Sequence, residues 1–574
     1  MTSLFNSIAD RLGRIYPDKD NESLTRLLIG EMELDENDTV QSLQENKWDE
    51  QDVWVITYGD SVCKQGEAPL VTLKSFADKY LKSAISGLHI LPFFPYSSDA
   101  GFSVINYSQV NDHLGTWKDI ENIASDYDLM SDLVINHCSS RSRWFDNFCQ
   151  GKSPGKDYFI EANPEDDTSE VVRPRTSPLL RETQTIEGVK YVWCTFSHDQ
   201  IDLNFTNPDV LLEMVRIIRR YLEQGVKIFR LDAVAFLWKQ QGTTCLHLPQ
   251  THEIIRLLRT LIEAHTPSAI IITETNVPNH ENLSYFGNAN EAHAIYNFSL
   301  PPLLVHTMLS GNSDQLKQWQ MSMPPAQNGT FYFNFIASHD GIGLRPINSL
   351  LDESQIDQMI NTLQGFGARV SYRSVHGGRN KPYEINISLY DAMQGTIKSG
   401  SDKWQQQRFI CAHAIMMSLE GVPGLYIHSL LGTQNDTSKL QSSTNNRNIN
   451  RKKWQLDELE TLLKDHRSHH QQVLQSLLEL LTIRRQQKAF HPNAVQYTLH
   501  LGSEIFAFWR QSMNRDQSIF CIHNVTSKKV TIPTGSINII SLEDWRDLIS
   551  GEDYHATTKE IELEPYQFVW LSNK

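Results

Sequence analysis

The chain has 574 residues, of which 40% are hydrophobic and 21% are charged, and this composition excludes a wholly disordered protein. Its formal net charge of −16 disfavours nucleic acids and anionic membranes as partners, because both bind basic surfaces. Seven cysteines without a CxxC pair do not indicate a disulfide framework. The N-terminal residues lack the basic start and apolar run of a signal peptide, and no apolar stretch approaches the roughly 20 residues of a membrane span. We therefore expect a cytoplasmic protein with neither nucleic acid nor membrane as a partner.

The predicted elements begin with an N-terminal helical extension. Residues 1–47 alternate charged and aliphatic residues at helical spacing, which predicts two amphipathic helices. Eight short β-rich apolar runs follow, at 53–58, 88–93, 133–136, 226–231, 269–273, 294–298, 331–337 and 425–427. Helical patterns lie between most of these runs, at 73–83, 210–224, 251–265, 316–323 and 403–419. Strands that alternate with helices indicate a parallel sheet.

Eight such strands predict an α/β fold, a (β/α)8 TIM barrel, with a single doubly wound sheet as the alternative. Long gaps after the third and seventh runs predict inserted subdomains on the face where barrel active sites lie. Short alternating segments near the end predict an antiparallel β domain. The predicted organisation is an extension at 1–47, barrel segments at 48–138, 202–340 and 403–486, inserted subdomains at 139–201 and 341–402, and a C-terminal domain at 487–574.

Ionisable residues follow several of the predicted strands and converge on one face of a barrel. Asp232 and Glu274 follow neighbouring strands, where they can act as the nucleophile and the acid/base of a retaining cleavage of a glycosidic bond. That reaction needs the two carboxyl groups about 5–5.5 Å apart. Arg230, two residues from Asp232, is expected to keep Asp232 ionised, and Glu274 is expected to be the less solvated carboxyl with a raised pKa.

These strand ends resemble the four sequence regions of the α-amylase clan of glycosidases and transglycosidases, and they occur in the same order. The matching segments are Asp132-x-x-x-Asn136-His137, Arg230-x-Asp232, Glu274 and His339-Asp340. The resemblance implies that Asp232 is the nucleophile, Glu274 the general acid/base, and Asp340 a residue that binds sugar hydroxyls and favours ring distortion. It also implies that His137 and His339 hydrogen-bond the glucosyl hydroxyls.

Further segments resemble the sucrose phosphorylase subfamily of that clan. They lie at 91–95, 99–102, 173–175, 242–245, 298–302, 338–343 and 448–451. The resemblance implies that Asp99 pairs with Arg451 beneath the first glucosyl site, so that the enzyme acts on one terminal glucose. It implies that the same pocket is lined by Phe102, Phe196, Gln200 and Phe236.

A phosphorylase uses phosphate in place of water, and phosphate needs positive charge at the acceptor site. The candidates in the two insertions are Arg173, Arg175, His376, Arg379 and Lys381. The loop 379–386 differs from that of sucrose-cleaving members and resembles that of members that cleave glucosylglycerate, with Tyr383 at the substrate. A basic loop suits the carboxylate of glycerate.

The prediction is therefore a retaining phosphorylase that cleaves a small α-glucoside, preferably glucosylglycerate, with inorganic phosphate. The product is α-glucose 1-phosphate, formed through a covalent β-glucosyl intermediate. The alternatives are a sucrose phosphorylase, a phosphorylase of glucosylglycerol or of a phosphorylated fructoside, and an α-glucosidase or transglucosidase. A catalytically inactive binding protein is disfavoured because all three carboxylates are present.

No cofactor or metal is expected. Cys245, His247 and His252 have a C-x-H-x₄-H spacing that is incomplete for zinc, and no acidic loop indicates a Ca²⁺ site. The sequence leaves open whether the chain is a monomer or a homodimer.

Overall fold

Eight parallel strands form a closed barrel at the centre of the molecule. The computed structural model describes residues 3–39, 46–374, 380–438, 445–537, 544–555 and 557–573. The barrel strands are β1 Trp54–Thr57, β2 Gly87–Ile90, β3 Asp128–Val134, β4 Val226–Asp232, β5 Ile270–Thr273, β6 Ala294–Tyr296, β7 Phe331–Asn334 and β8 Val422–Tyr426. Each strand pairs with the next in chain order and β8 closes on β1. The predicted (β/α)8 barrel is confirmed, and the doubly wound sheet is excluded.

Six of the eight strands coincide closely with their predicted runs, whereas β8 spans Val422–Tyr426 against a predicted 425–427, and β3 also differs. The prediction placed it at 133–136, whereas the strand spans Asp128–Val134. Its first half was missed because it contains Asp128 and Asp132, which are unusual in a strand. Both carboxylates have partners there, Asp128 with Lys227 at 2.8 Å and Asp132 with Arg230. Their burial is therefore compensated by charge.

The barrel interior is packed with aromatic rings, and one glycine makes room for them. Trp54 of β1 stacks on Phe333 of β7 with ring centroids 5.6 Å apart. Gly424 of β8 lies beside the same ring, and a Cβ atom there would come within 2.2 Å of the Phe333 Cζ atom. The close approach of this backbone to the ring requires glycine.

Helices surround the barrel, and several begin at a proline, whose fixed φ suits the first helical turn. They are Pro69–Tyr80, Trp117–Ala124, Pro208–Glu223, Pro249–His265, Asn279–Leu283, Leu300–Ser310, Asp314–Ser322, Gln405–Ser418, Ile427–Leu430, Leu456–Lys464 and His469–Arg484. All five predicted helical segments lie in this set. None of the helices in the described part of the chain is long and apolar enough to cross a membrane.

The N-terminal extension consists of two helices, as predicted, Leu4–Ile15 and Asn21–Glu31. Their N-caps are Ser3 and Asp20, whose side chains accept backbone N–H bonds. The first helix packs on Pro249–His265 and the second on Pro208–Glu223. The extension is therefore built onto the outside of the barrel.

Two long insertions rise from the C-terminal ends of β3 and β7. The first contains His137–Ser139, Arg143–Cys149, Leu180–Thr185, Gly188–Trp193 and Gln200–Asp202. The second contains Ile342–Gly343, the 3₁₀ turn Arg345–Ile347, Glu353–Gly365, Arg369–Ser374, Asn380–Asn386, Leu389–Ala392, Gly395–Thr396 and Gly400–Ser401. Short elements elsewhere are Val62–Cys63, Asp99–Gly101, Val234–Phe236, Ser284–Phe286, Asn446–Asn450, Trp454–Gln455 and Lys488–Phe490.

The C-terminal part is antiparallel, as predicted. Its strands are Val495–Leu499, Ile505–Gln511, Ser518–Asn524, Val530–Pro533, Trp545–Asp547, Asp553–Tyr554, Glu560–Leu563 and Phe568–Ser572, with a 3₁₀ turn at Thr534–Ile537. Six of these strands form one sheet and two form a separate ladder. The sheet packs on helix Gln405–Ser418 through its central strand Ser518–Asn524. The residue boundaries between the parts of the chain stay predictions.

Candidate active site

A pocket opens at the C-terminal ends of the barrel strands, where the sequence predicts the site. Its walls come from strand ends and from both insertions. The predicted residues that line it are Asp99, Phe102, His137, Arg175, Phe196, Gln200, Asp232, Phe236, Glu274, His339, Asp340 and Tyr383. The structure thus brings together most of the residues singled out from the sequence, although they are distributed over nearly 300 positions of the chain, from Asp99 to Tyr383.

Asp232 and Glu274 contact the same guanidinium group at the bottom of this pocket. Arg230 Nη1 lies 3.1 Å from Asp232 Oδ1, and Arg230 Nη2 lies 3.8 Å from Glu274 Oε1. The backbone N–H of Ala233 donates to Glu274 Oε2 at 3.3 Å. Ala233 has a positive φ of 55°, and this turn at the end of β4 aims its N–H at Glu274. The arrangement holds two carboxyl groups side by side, as a retaining cleavage requires.

The expected ionisation of this pair is partly wrong. Burial raises the pKa of Asp232 well above its ordinary value despite the charge of Arg230, and burial also raises the pKa of Glu274. Asp232 is also the less exposed of the two, with 11% of its side chain accessible against 14% for Glu274. The raised pKa of Glu274 agrees with the prediction, whereas the placing of Glu274 as the less solvated carboxyl does not.

The reason lies beneath the pair, where Arg230 has a third carboxylate partner. Asp132 of β3 forms an ion pair with Arg230 and a 2.8 Å contact with His89 Nε2. Burial opposes ionisation of Asp132, but the charge of Arg230 and the hydrogen bond from His89 outweigh it and lower its pKa. Asp132 therefore uses much of the charge of Arg230, which leaves less to stabilise Asp232 as a carboxylate.

Asp340 is in the opposite electrostatic situation. Its Oδ1 lies 2.5 Å from Arg447 Nη1 and 3.7 Å from Arg451 Nη2. Burial would raise the pKa of Asp340, but the charges of Arg447 and Arg451 hold it well below its ordinary value. Asp340 is thus an ionised acceptor that faces the pocket.

The predicted pair between Asp99 and Arg451 is wrong. Arg451 is buried and turns to Asp340, with its Nε donating to the His339 carbonyl at 2.8 Å. Asp99 instead accepts a weak contact from Gln200 Nε2 at 3.4 Å. The carboxylate that contacts the Arg451 guanidinium is therefore Asp340, at 3.7 Å.

Gln200 and the two histidines form the wall around Asp99. Gln200 Nε2 donates to the Phe102 carbonyl at 3.2 Å and lies 3.1 Å from His137 Nε2. His339 stacks on Phe102, with ring centroids 5.0 Å apart and an interplanar angle of 7°. Burial lowers the pKa of both histidines, so each ring is neutral near pH 7. Neutral rings offer one donor and one acceptor each, which suits sugar hydroxyls.

The remaining wall is aromatic. Phe196 contacts Phe236 at 5.4 Å between ring centroids and lies 5.2 Å from the His137 ring. The guanidinium of Arg175 lies 5.8 Å from the Phe196 ring centroid and 5.7 Å from that of Tyr383. Cation–π contacts of this kind hold Arg175 between the two insertions.

Two of the predicted phosphate residues, Arg173 and Lys381, lie outside the pocket. Arg173 does not line it, and its buried Nε and Nη2 have no hydrogen-bond partner in the described part of the chain. Lys381 lies on the surface, 58% exposed, and forms an ion pair with Glu353 at 3.4 Å. The register explains this, because Lys381 pairs with Arg373 on the outer strand of the insertion. Arg379 and His376 lie outside the described residues.

Two residues that the sequence analysis did not select complete the site. Arg447 Nε lies 3.0 Å from Glu384 Oε1, and the same Glu384 oxygen accepts the N–H of Gly341, next to Asp340. The available signal was the position of Arg447, directly before the segment 448–451 that resembles the subfamily. Arg345 also lines the pocket and follows the His339-Asp340 segment closely.

The Cys245, His247 and His252 spacing does not form a metal site. His247 contacts Tyr285 and Glu281, His252 contacts Glu291, and the Cys245 thiol donates to a backbone carbonyl. Across the described ranges, no group of three or more histidine, cysteine or acidic side chains could hold a metal ion.

Comparison with known proteins agrees with this geometry. The family model of the α-amylase catalytic domain matches residues 73–359, and the chain belongs to the α-amylase family. A glucosylglycerate phosphorylase of Spirochaeta thermophila is 44% identical, over 91% of this chain and 90% of its own length. A second protein of that name, from Escherichia coli, is 40% identical over 98% of this chain and 99% of its own.

A solved structure is also similar to this chain over most of its length. The sucrose 6F-phosphate phosphorylase of Thermoanaerobacter thermosaccharolyticum is 25% identical and superimposes with a TM-score of 0.73, over 90% of this chain and 98% of its own. The chain is thus similar over almost its whole length to named phosphorylases of the α-amylase family.

Proposed function

We propose that this chain is a retaining glucosyl phosphorylase that cleaves glucosylglycerate with inorganic phosphate and releases α-glucose 1-phosphate and glycerate. The observation that carries the proposal is the pair of carboxyl groups on Arg230, in a pocket that Arg175 and Arg345 also line. The carboxyl pair suits glucosyl transfer, and the arginines suit anionic acceptors. The names of the similar proteins support the same substrates.

The proposed reaction is a double displacement. Asp232 attacks the anomeric carbon while Glu274 gives its proton to the leaving glyceryl oxygen, which forms a covalent β-glucosyl enzyme. Phosphate then attacks this intermediate while Glu274 takes up its proton, which gives the α-phosphate with net retention. The raised pKa of Glu274 suits a group that must donate and then accept a proton near neutral pH.

The other predicted pocket residues receive roles in sugar binding. Asp340, kept ionised by Arg447, accepts hydrogen bonds from glucosyl hydroxyls, with His137 and His339 beside it. The stack of Phe102 on His339 and the Gln200 contact with Asp99 form the wall against which one terminal glucose rests.

The test is phosphorolysis of glucosylglycerate and of sucrose at the same phosphate concentration, with glucose 1-phosphate measured. We expect glucosylglycerate to be the better substrate, and Asp232→Asn to reduce its turnover by about 1,000-fold or more because the nucleophile is lost. Asp314→Asn, at a side chain that is 61% exposed, is the matched control and should keep full activity.

Each other outcome points to a different enzyme. Faster turnover of sucrose would make the chain a sucrose phosphorylase, and release of free glucose independent of phosphate would make it a hydrolase. Undiminished activity of Asp232→Asn would refute the mechanism.

We also propose that the enzyme is cytoplasmic and acts as a monomer or a homodimer. Light scattering of the purified chain would distinguish the two states.

A further inference from the structure

The side of the pocket that receives the leaving group carries an arginine to which no role has been given so far. We propose that Arg345 binds the carboxylate of the glycerate that leaves in phosphorolysis and enters in synthesis, and so determines the preference for an anionic acceptor. This inference rests on the proposed function and assigns the acceptor specificity of the same site to one side chain.

The backbone fixes the position of Arg345 relative to the reactive carboxyl groups. The N–H of Leu344 donates to the Tyr383 carbonyl at 3.0 Å, which ties the chain just before Arg345 to the second insertion. A Cβ atom on Gly343 would come within 2.7 Å of Asn276 Nδ2, so this segment packs directly against the loop that follows Glu274. Arg345 therefore stands on the side from which Glu274 protonates the leaving oxygen.

A single carboxylate holds the guanidinium. Arg345 Nη2 lies 3.4 Å from Glu281 Oε2, and His247 Nε2 approaches the same oxygen to 3.0 Å. Burial lowers the pKa of His247, so His247 holds Glu281 in place as a neutral donor. A guanidinium has five N–H donors, and only this one contact is recorded for Arg345 in the described part of the chain. The other donors remain for a ligand in the pocket that Arg345 lines.

The other cations at the pocket have different surroundings. Arg447 bonds Asp340 and Glu384, and Arg175 lies between two aromatic rings. Burial and the nearby charge of Arg345 lower the pKa of Arg373, which indicates a second guanidinium close to the first. Arg345 and Arg373 are two neighbouring positive charges, and Glu281 is the one carboxylate that contacts Arg345 among the described residues, which leaves a local excess of positive charge.

A carboxylate with adjacent hydroxyls fits this wall better than phosphate alone. The planar guanidinium can bind either anion in a two-bond arrangement, so the distinction depends on a partner for the hydroxyl groups. Asn276 Oδ1 lines the same wall and is buried without a hydrogen-bond partner, so it can accept a bond from a glyceryl hydroxyl. Arg175, above Phe196 and Tyr383, is then the residue that serves phosphate.

The test uses the synthetic direction, in which glucose 1-phosphate transfers glucose to glycerate or to glycerol and phosphate release is measured. Glycerol is the uncharged match of glycerate. We expect Arg345→Gln to lower kcat/KM for glycerate by about 10- to 100-fold, the value of a charge-assisted hydrogen bond, and for glycerol by less than about threefold. Arg26→Gln, on the exposed side of the N-terminal extension, should change neither value.

Arg345→Lys covers the case in which the glutamine variant does not fold, because it keeps the charge and the aliphatic stem. It should retain part of the preference for glycerate. An equal loss with both acceptors, or no loss with either, would refute the proposal. If the wild-type enzyme released no phosphate with glycerate while it used fructose, the proposed function itself would fail, and the two failures are therefore distinguishable.

Discussion

Asp232 and Asp340 are buried carboxyl groups of one pocket, yet their pKa values are shifted in opposite directions. Arg447 and Arg451 both face Asp340 and lower its pKa, whereas the single arginine beside Asp232 is shared with Asp132 and Glu274. The number of cations per carboxylate, rather than burial, decides which group stays ionised. The sequence indicates both aspartates equally well, but the sharing of Arg230 depends on strand pairing between β3 and β4.

A second buried carboxyl group, Glu420, affects stability rather than catalysis. Burial raises its pKa to about 7, although the N–H of Ala326 donates to it. Because the folded state binds this proton more tightly than the unfolded chain, stability falls as pH rises from about 4.5 to 7. By linkage the loss approaches about 3 kcal/mol above pH 7.

Glu420→Gln keeps the hydrogen-bond acceptor and removes the charge. We expect it to unfold at a higher temperature than wild type at pH 8 and at nearly the same temperature at pH 4.5. Thermal unfolding at both pH values measures the difference. Glu504→Gln, at an exposed position, is the control and should show no such pH dependence; a pH-independent gain for Glu420→Gln would contradict the explanation.

At the scale of elements, the periodicity of hydrophobic residues was sufficient to predict the strands and helices of the barrel but not the strands of its insertions. The strands and helices of the barrel are local patterns, and their order follows from the chain. The strand Asn380–Asn386 was not predicted, because its position depends on pairing with Ile342–Gly343 and Arg369–Ser374. A bulge between Ser371 and Tyr372 then decides which residues of the loop face the pocket. This register places Tyr383 in the pocket and Lys381 outside it.

The contact between the second insertion and the end of β7 leaves no room for a side chain at Gly341. A Cβ atom there would lie 2.6 Å from Glu384 Cγ and 2.7 Å from the Ile385 carbonyl. We therefore expect Gly341→Ala to displace the Glu384 strand and to lower kcat/KM by at least about tenfold, since Arg447 loses a ligand.

The matched control is Gly365→Ala, because Gly365 ends the helix of the same insertion and has open space around it. This change should leave kcat/KM unaffected, and alanine is no worse than glycine in a helix. Steady-state kinetics of both variants measure the effect. Equal activity of the two variants would show that the close contact at Gly341 does not position the site.

At the scale of the whole molecule, the N-terminal extension is part of the folded unit. Its first helix buries Leu4, Ile8, Leu12 and Ile15 at i, i+4 spacing, which is the pattern that predicted it. Ion pairs join it to the barrel helices, such as Arg11 with Glu253 at 3.4 Å. The sequence showed an apolar face but not the surface that it covers, because that surface is formed by helices more than 200 residues away.

This packing predicts the effect of truncating one side chain. Ile8 is fully buried, so Ile8→Ala should reduce the free energy of unfolding by about 2–4 kcal/mol through lost burial and a cavity. Leu27→Ala, in the second helix at 52% exposure, should change it by less than about 0.5 kcal/mol. Urea unfolding measures both. A negligible effect of Ile8→Ala would mean that the extension does not unfold with the barrel.

The net charge of −16 and a site for anions are compatible because the positive charges are local. Of the arginines and lysines singled out for phosphate that the structure describes, Arg173, Arg175 and Lys381, only Arg175 lines the pocket; Arg345 and Arg447 line it as well. Sequence position alone cannot show which cations face the pocket, because the direction of a side chain in a long insertion depends on the strand register of that insertion. A few cations in a cleft can attract a small anion in spite of an acidic surface.

The charged groups beneath the pocket determine whether the catalytic carboxyl groups are protonated before the substrate binds. One guanidinium, that of Arg230, faces three carboxyl groups, Asp132, Asp232 and Glu274, and the first already balances it. Because burial raises the pKa of both Asp232 and Glu274, the folded pair binds a proton from solvent before any sugar enters, and the attack requires that this proton lie on Glu274 while Asp232 is ionised. Glu274 can therefore carry the proton for the leaving group before the glucoside binds.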